Sequence, residues 1–159
     1  LTDSRTRGYY EYIDIGNSYV QSNILGALGV SQLNKIERMN GRRKEIAEMY
    51  QDELKGITGL EFLRITEGAE TNWHIFGILV PPEHKYWVMD ALRAEGVMSN
   101  VHYTPLHRNR YYSNLSDDDA MTGSMMFFSR LLRLPLYPSL TDEEAWIVVK
   151  SVRKVFGYE

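Results

Sequence analysis

NWHIFGILVPP, Asn72 to Pro82, is the stretch on which the architecture turns. Aromatic and β-branched residues crowd it, and Pro81-Pro82 closes it, so it reads as a buried strand. A helix follows over Glu83 to Glu95, with Val88, Ala91, Leu92 and Glu95 on one face and Gly96 placed to end it. Before the strand, GLEFLRI (59–65) is a shorter strand candidate, and after the helix VMSNVHY (97–103) is another. Ser116 with Asp119 resembles a capping box, opening a helix whose apolar stripe runs Met121, Met125, Phe128, Leu131 and Leu132. RLPLYPSL (133–140) is a short extended piece between prolines, and Thr141-Asp142-Glu143-Glu144 is a capping box for a last helix through Phe156.

Upstream, Ile24, Leu25, Leu28, Leu33 and Ile36, then Met39, Arg43, Ile46, Ala47, Tyr50 and Leu54, fall at helical spacings. They predict one long helix or two abutting ones ending near Gly56, with Asn40-Gly41 as a possible dividing turn. Residues 1–20 lack this period and read as an irregular arm. The order of elements predicts an α+β layer, a small sheet with helices on one face, entered through a long helix.

The 159 residues are 43% hydrophobic and 25% charged, and the net charge is −3. Such a balance gives no reason to expect nucleic acid or a membrane surface as partner. There is no cysteine, so no disulfide and no thiolate chemistry. The first residues have no apolar core of a leader, and a soluble, cytoplasmic protein is expected. Arg42-Arg43-Lys44, followed by Glu45 and Glu48, reads as a salt-bridged, solvated helix face.

Two of the four histidines sit in NVHYTPLH (100–107). His102 and His107 are five apart across Pro105, unlike the helical pairing of zinc hydrolases, and no carboxylate or thiol beside them completes a ligand set. No metal site is expected. Ser113 and Ser116 have no Gly-x-Ser-x-Gly setting, and there is no phosphate-cradling glycine loop. Pro105 stiffens its segment and favours an extended Thr104. The segment could thus hold imidazole and phenol groups for a phosphate or sugar, with Arg108, Arg110, Tyr111 and Tyr112 beyond. On composition alone the same residues read first as a mixed surface loop with buried tyrosine rings. His74 reads as a sheet residue and His84 as a helix-start surface residue.

Five segments in order, DIGNSYVQSNILGALGVSQLNKI, RRKEIAEMYQDEL, NWHIFGI, GVMSNVHYTPLH and RLLRLPLYPSLTDEE, resemble the C-terminal part of the DegT/DnrJ/EryC1/StrS family. These are pyridoxal phosphate (PLP)-dependent aminotransferases of nucleotide-linked keto-sugars. The similarity runs from about Asp14 to Phe156 and is closest to the branch that aminates a TDP-4-keto-6-deoxyhexose. It implies the small C-terminal domain of a fold-type I PLP aminotransferase, with residues 1–20 as an arm of a missing N-terminal large domain and 21–159 as the small domain with its linking helix. It also implies a homodimer. Ser18 and Tyr19 match the positions that reach the cofactor phosphate of a neighbouring subunit, although Val20 replaces the arginine common next. His74, His102, Tyr103 and His107 match the nucleotide-sugar side.

The lysine that holds PLP covalently lies, in this family, upstream of every matched segment. The lysines here (Lys35, Lys44, Lys55, Lys85, Lys150 and Lys154) fall on helix faces, at a helix end or beside Pro-Pro, without the Ser-x-x-Lys context. No catalytic residue is assigned, and the chain alone is expected to be inactive. Two alternatives stand beside amino transfer from glutamate: a PLP-dependent sugar dehydratase of the same family, and a non-catalytic ligand-binding or interaction module.

Overall fold

The computed structural model describes residues 19–158, so most of the expected arm, Ser18 included, lies outside the described residues. The chain divides into two compact units, residues 1–35 and 36–159.

In the first unit, α1 spans Asn23–Leu33 and is opened by Ser22, whose Oγ accepts a hydrogen bond from the Leu25 amide at 3.3 Å. Apolar residues surround α1 on all sides rather than forming a stripe, and none of them is buried. Ile24 is 82% exposed and Leu28 55%.

The second unit begins with α2, Ile36–Leu54. Of the two readings of the entering helix, two abutting helices form. The break falls at Asn34–Lys35, where the Lys35 amide bonds the Gln32 carbonyl three residues back at 3.0 Å. Asn40-Gly41 stays helical: the Asn40 side chain accepts a bond from the Arg43 guanidinium one turn on. Gly56, with φ +82°, ends the helical region as its sequence position predicts.

Three strands form one antiparallel sheet in the order β1 (Glu61–Phe62), β2 (Phe76–Leu79), β3 (Leu131–Leu134). The register pairs Phe76 with Leu134 and Ile78 with Leu132 on one face, and Gly77 with Arg133 and Leu79 with Leu131 on the other. The first face carries the core. Phe76, Ile78, Leu132 and Leu134 pack there with Ile46, Ala47, Tyr50 and Leu54 of α2. Val88 and Leu92 of α3 (Lys85–Ala94) join them, as do Ala145, Val148, Val149 and Val152 of α5 (Asp142–Val155). An aromatic cluster locks α2 to the sheet: the Tyr50 and Phe76 rings meet edge-on at 5.1 Å, and Trp73 stacks on Phe76 at 6.0 Å. The Tyr50 hydroxyl donates to the Pro135 carbonyl at 2.9 Å, which satisfies the polar tip of an otherwise apolar contact. On the opposite face a Cβ at Gly77 would lie 2.7 Å from a Leu63 methyl, so the backbone needs glycine for close packing there.

Several expected elements are shorter than their sequence pattern. GLEFLRI contributes only Glu61–Phe62, and VMSNVHY makes a single bridge, Asn100 to Arg133, instead of a strand. The strand expected at RLPLYPSL begins earlier, at Leu131, and Pro135 ends it. The Ser116–Asp119 capping box does not form. α4 runs Thr122–Arg130 with no side-chain cap, and Asp117 instead accepts a bond from the Ala120 amide at 2.9 Å. Leu131 and Leu132 therefore belong to β3, because the chain has already turned into the sheet. The Thr141 box does form, with the Thr141 hydroxyl and Glu144 carboxylate each meeting the other's amide, and Gly96 has φ +82° as its C′ position requires.

Candidate functional site

The charged run Arg42-Arg43-Lys44 divides by helical phase. Arg42 pairs with Glu45 at 3.2 Å and Asp142 at 2.7 Å, and Lys44 with Glu48 at 3.7 Å, as a solvated face should. Arg43, one position on, departs from that expectation and turns inward, half-buried. Its Nε donates to the Asn72 carbonyl at 3.1 Å and so ties α2 to the turn before β2. In that turn Trp73 adopts φ +50°, a left-handed conformation that an aromatic residue rarely takes. The Thr71 hydroxyl and the Asn72 side chain accept from the Trp73 and His74 amides at 3.1 and 3.0 Å. His74 is consequently an exposed residue just ahead of the strand, not a residue of the sheet.

Arg133 lies on the sheet face away from the helical core. Its backbone pairs with Asn100 in both directions, at 2.7 and 3.1 Å, and this brings the NVHYTPLH segment beside β3. The Arg133 Nη1 donates to Nε2 of His102 at 3.0 Å. A guanidinium can only donate, so Nε2 is the unprotonated nitrogen and the neutral ring carries its proton on Nδ1. That Nδ1 is buried without a hydrogen-bond partner among the described residues. Desolvation lowers the His102 pKa below the ordinary histidine value, and the Arg133 and His74 charges push the same way. The Val101 backbone offsets part of this. Tyr103 stacks on the His102 ring at 4.0 Å and is 74% exposed.

Two cavities flank this pair. One, of about 750 Å³, is lined by Arg43, His74, Asn100 and Arg133 with Tyr137 and Glu144. The other, of about 660 Å³, has His102, Tyr103 and His107 on its wall, with Leu115, Phe127 and Phe128 supplying apolar surface. Both volumes are in the range of small-molecule sites. The four residues assigned to substrate thus divide, His74 on the first cavity and His102, Tyr103 and His107 on the second. His107 Nε2 lies 3.0 Å from Asp118 Oδ1, and Arg108 closes on the same carboxylate through two nitrogens. Tyr19 is described and 88% exposed. Arg43, read from the sequence as part of a solvated charged face, and Arg133, not read there as a site residue, both line the first cavity; the inward phase of Arg43 in its helical stripe was the available signal.

Lys85, placed beside Pro-Pro in the sequence, is 1% exposed. Its ammonium donates to the Phe128 carbonyl in the last turn of α4 and lies 4.3 Å over the Phe128 ring. Burial lowers its pKa. Neither cavity has a lysine on its wall.

A small antiparallel sheet with helices on one face, flanked by two cavities lined with histidine, tyrosine and arginine, is the frame of an α+β domain. The chain belongs to the DegT/DnrJ/EryC1/StrS aminotransferase family, whose profile matches residues 2–153. It is 31% identical over 155 residues to the spore coat polysaccharide biosynthesis protein SpsC of Bacillus subtilis, covering 92% of this chain and 40% of that protein. Spr1654 of Streptococcus pneumoniae, solved in a PLP form, superposes with a TM-score of 0.79 at 28% identity, over 95% of this chain and 40% of that one. DesV of S. venezuelae shares the fold with a TM-score of 0.87 at 23% identity, over 97% and 42% of the two chains. The fold is that of the small C-terminal domain of these aminotransferases, and the chain spans about 40% of the length of the curated relatives it matches.

Proposed function

We propose that this chain is the small-domain portion of a PLP-dependent nucleotide-sugar aminotransferase, acting with a large domain that carries the PLP lysine. The observation that carries this reading is the family match over residues 2–153, on a fold with two neighbouring cavities that present imidazole, phenol and guanidinium groups. In this reading residues 1–20 are an arm of the large domain and 21–159 the small domain. Ser18 and Tyr19 reach the cofactor phosphate of a partner subunit in a homodimer, which places that contact in trans. His74, His102, Tyr103 and His107 face the nucleotide-sugar, a TDP-linked keto-sugar, and glutamate supplies the amino group. The enzyme works in the cytoplasm.

His102 serves this role as a neutral ring whose orientation Arg133 holds, while Tyr103 covers it with an exposed phenol. The apolar wall of Leu115, Phe127 and Phe128 suits the deoxygenated carbon of a 6-deoxyhexose. The test uses a longer protein containing this segment. PLP absorbance and glutamate-dependent amination of a TDP-4-keto-6-deoxyhexose are expected, with neither shown by the 159-residue chain alone. Absence of both from the longer protein overturns the proposal.

A further inference from the structure

Arg43 and Arg133 have no carboxylate within ion-pairing distance among the described residues, whereas Arg42, Arg108 and Arg130 each meet one. Withdrawing a guanidinium from water is costly and an anionic partner offsets that cost, so a half-buried arginine with free donors on a cavity wall is disposed to take an anion. Arg133 commits Nη1 to His102, and Arg43 commits Nε to Asn72 and Nη2 to Asn40. Each guanidinium has five N–H donors in a fixed fork, so both retain donors. Both line the same cavity of about 750 Å³, together with His74 and Asn100.

The carboxylate on that wall is Glu144, and it is already engaged: its Oε2 accepts the Thr141 amide at 2.9 Å at the start of α5. We infer that this cavity is a subsite for an oxyanion, a carboxylate or a phosphate, gripped by Arg133 and Arg43 with His74 on its wall. Two features make the grip rigid. Arg133 is held through its paired backbone on β3, and Arg43 is braced between α2 and the Asn72 carbonyl. The direction of the His102 shift agrees, because Arg133 and His74 both add positive potential beside that ring. The inference gives the acidic part of a ligand its place, and it rests on the aminotransferase reading only for the ligand's source.

The test is NMR of the 159-residue chain with 15N-labelled arginine, titrated with inorganic pyrophosphate and, separately, with glutarate. Sodium chloride at matched ionic strength is the control. Saturating shifts of the Arg43 and Arg133 Nε–Hε signals are expected. Saturation by pyrophosphate alone assigns a phosphate, by glutarate alone a carboxylate, and by both a general oxyanion site. Arg133→Lys keeps the charge without the fork and should weaken binding about tenfold. Arg43→Gln, whose site lies on a different element, serves should the first variant fail to fold. Shifts that merely track ionic strength in all three salts, or affinity unchanged in both variants, overturn the inference. PLP uptake by the longer protein is a separate readout, so either reading can fail while the other stands.

Discussion

Asp118 accepts from Arg108 through both oxygens and meets His107 at 3.0 Å. The Arg108 hydrogen bonds, and after them the His107 contact, hold the Asp118 pKa down to about 2. The folded value lies below the unfolded one of about 4, so the unfolded chain takes up the proton first as pH falls. The Asp118 contribution to stability is therefore in place above about pH 4 and is lost on descending towards pH 2. A carbon-13 titration of the Asp118 carboxyl should show this low midpoint, and Arg108→Gln should raise it. A midpoint near 4 in the unaltered chain would contradict the observed contact. His102 follows the same sign: its folded pKa is depressed, so stability from this group is present above about pH 6.5 and declines below it. The Hε1 resonance of His102 should titrate below the value of a free histidine, and Arg133→Met should bring the midpoint back up. Neither contact could be read from the sequence, because His107 and Asp118 are eleven apart through a loop without period, and His102 and Arg133 are thirty-one apart.

Helix ends were the most legible elements. Thr141 to Glu144 and Gly96 behave as their residue types require, since caps depend on neighbours within a few positions. Thr141→Ala removes the acceptor for the Glu144 amide and should cost about 1 kcal/mol of stability, measured by urea unfolding. The Glu144 carboxylate keeps its own partner in this variant, because it accepts from the backbone amide of residue 141. Ser116 and Asp119 show the limit of such local patterns. The spacing is right, but the chain between residues 109 and 121 makes turns, and α4 starts six residues later, at Thr122. Strand lengths were also overread. β-propensity covers GLEFLRI and VMSNVHY whole, yet only the residues that meet β2 or β3 across the sheet find hydrogen-bond partners.

α1 and α2 contrast in a way that concerns the molecule as a whole. α2 buries one stripe and leaves charged residues outside, the pattern of a helix on a single core. α1 is apolar all round, with Ile24, Leu25, Leu28, Val30 and Leu33 all exposed. Helices of that kind are normally covered on every side, and an exposed patch of this sort promotes association. The 159-residue chain is therefore expected to self-associate in light scattering, and Ile24→Lys with Leu28→Lys should shift it towards monomer. A clean monomer of the unaltered chain would remove the ground for treating α1 as an unmet interface. The chain spans about 40% of the length of the curated relatives it matches.

NWHIFGILVPP did decide the architecture, because a four-residue strand buried on both faces needs a sheet partner and a helical layer, and its composition already says so. Helical period, caps and the closing prolines are local properties, and the residues alone carry them. Family membership was equally legible, through five segments in order along the chain. The site was not. From the residues alone His74 read as a sheet residue and His102 as part of a mixed loop, grouped only through the family resemblance, and Arg43 read as one more charge on a solvated face. Only the pairing of Asn100 with Arg133, and the left-handed turn at Trp73 beside Arg43, set Arg43, His74 and Arg133 around one cavity and His102 on the wall of its neighbour. Contacts across such separations depend on sheet register and helix phase together, and no short run of sequence encodes both.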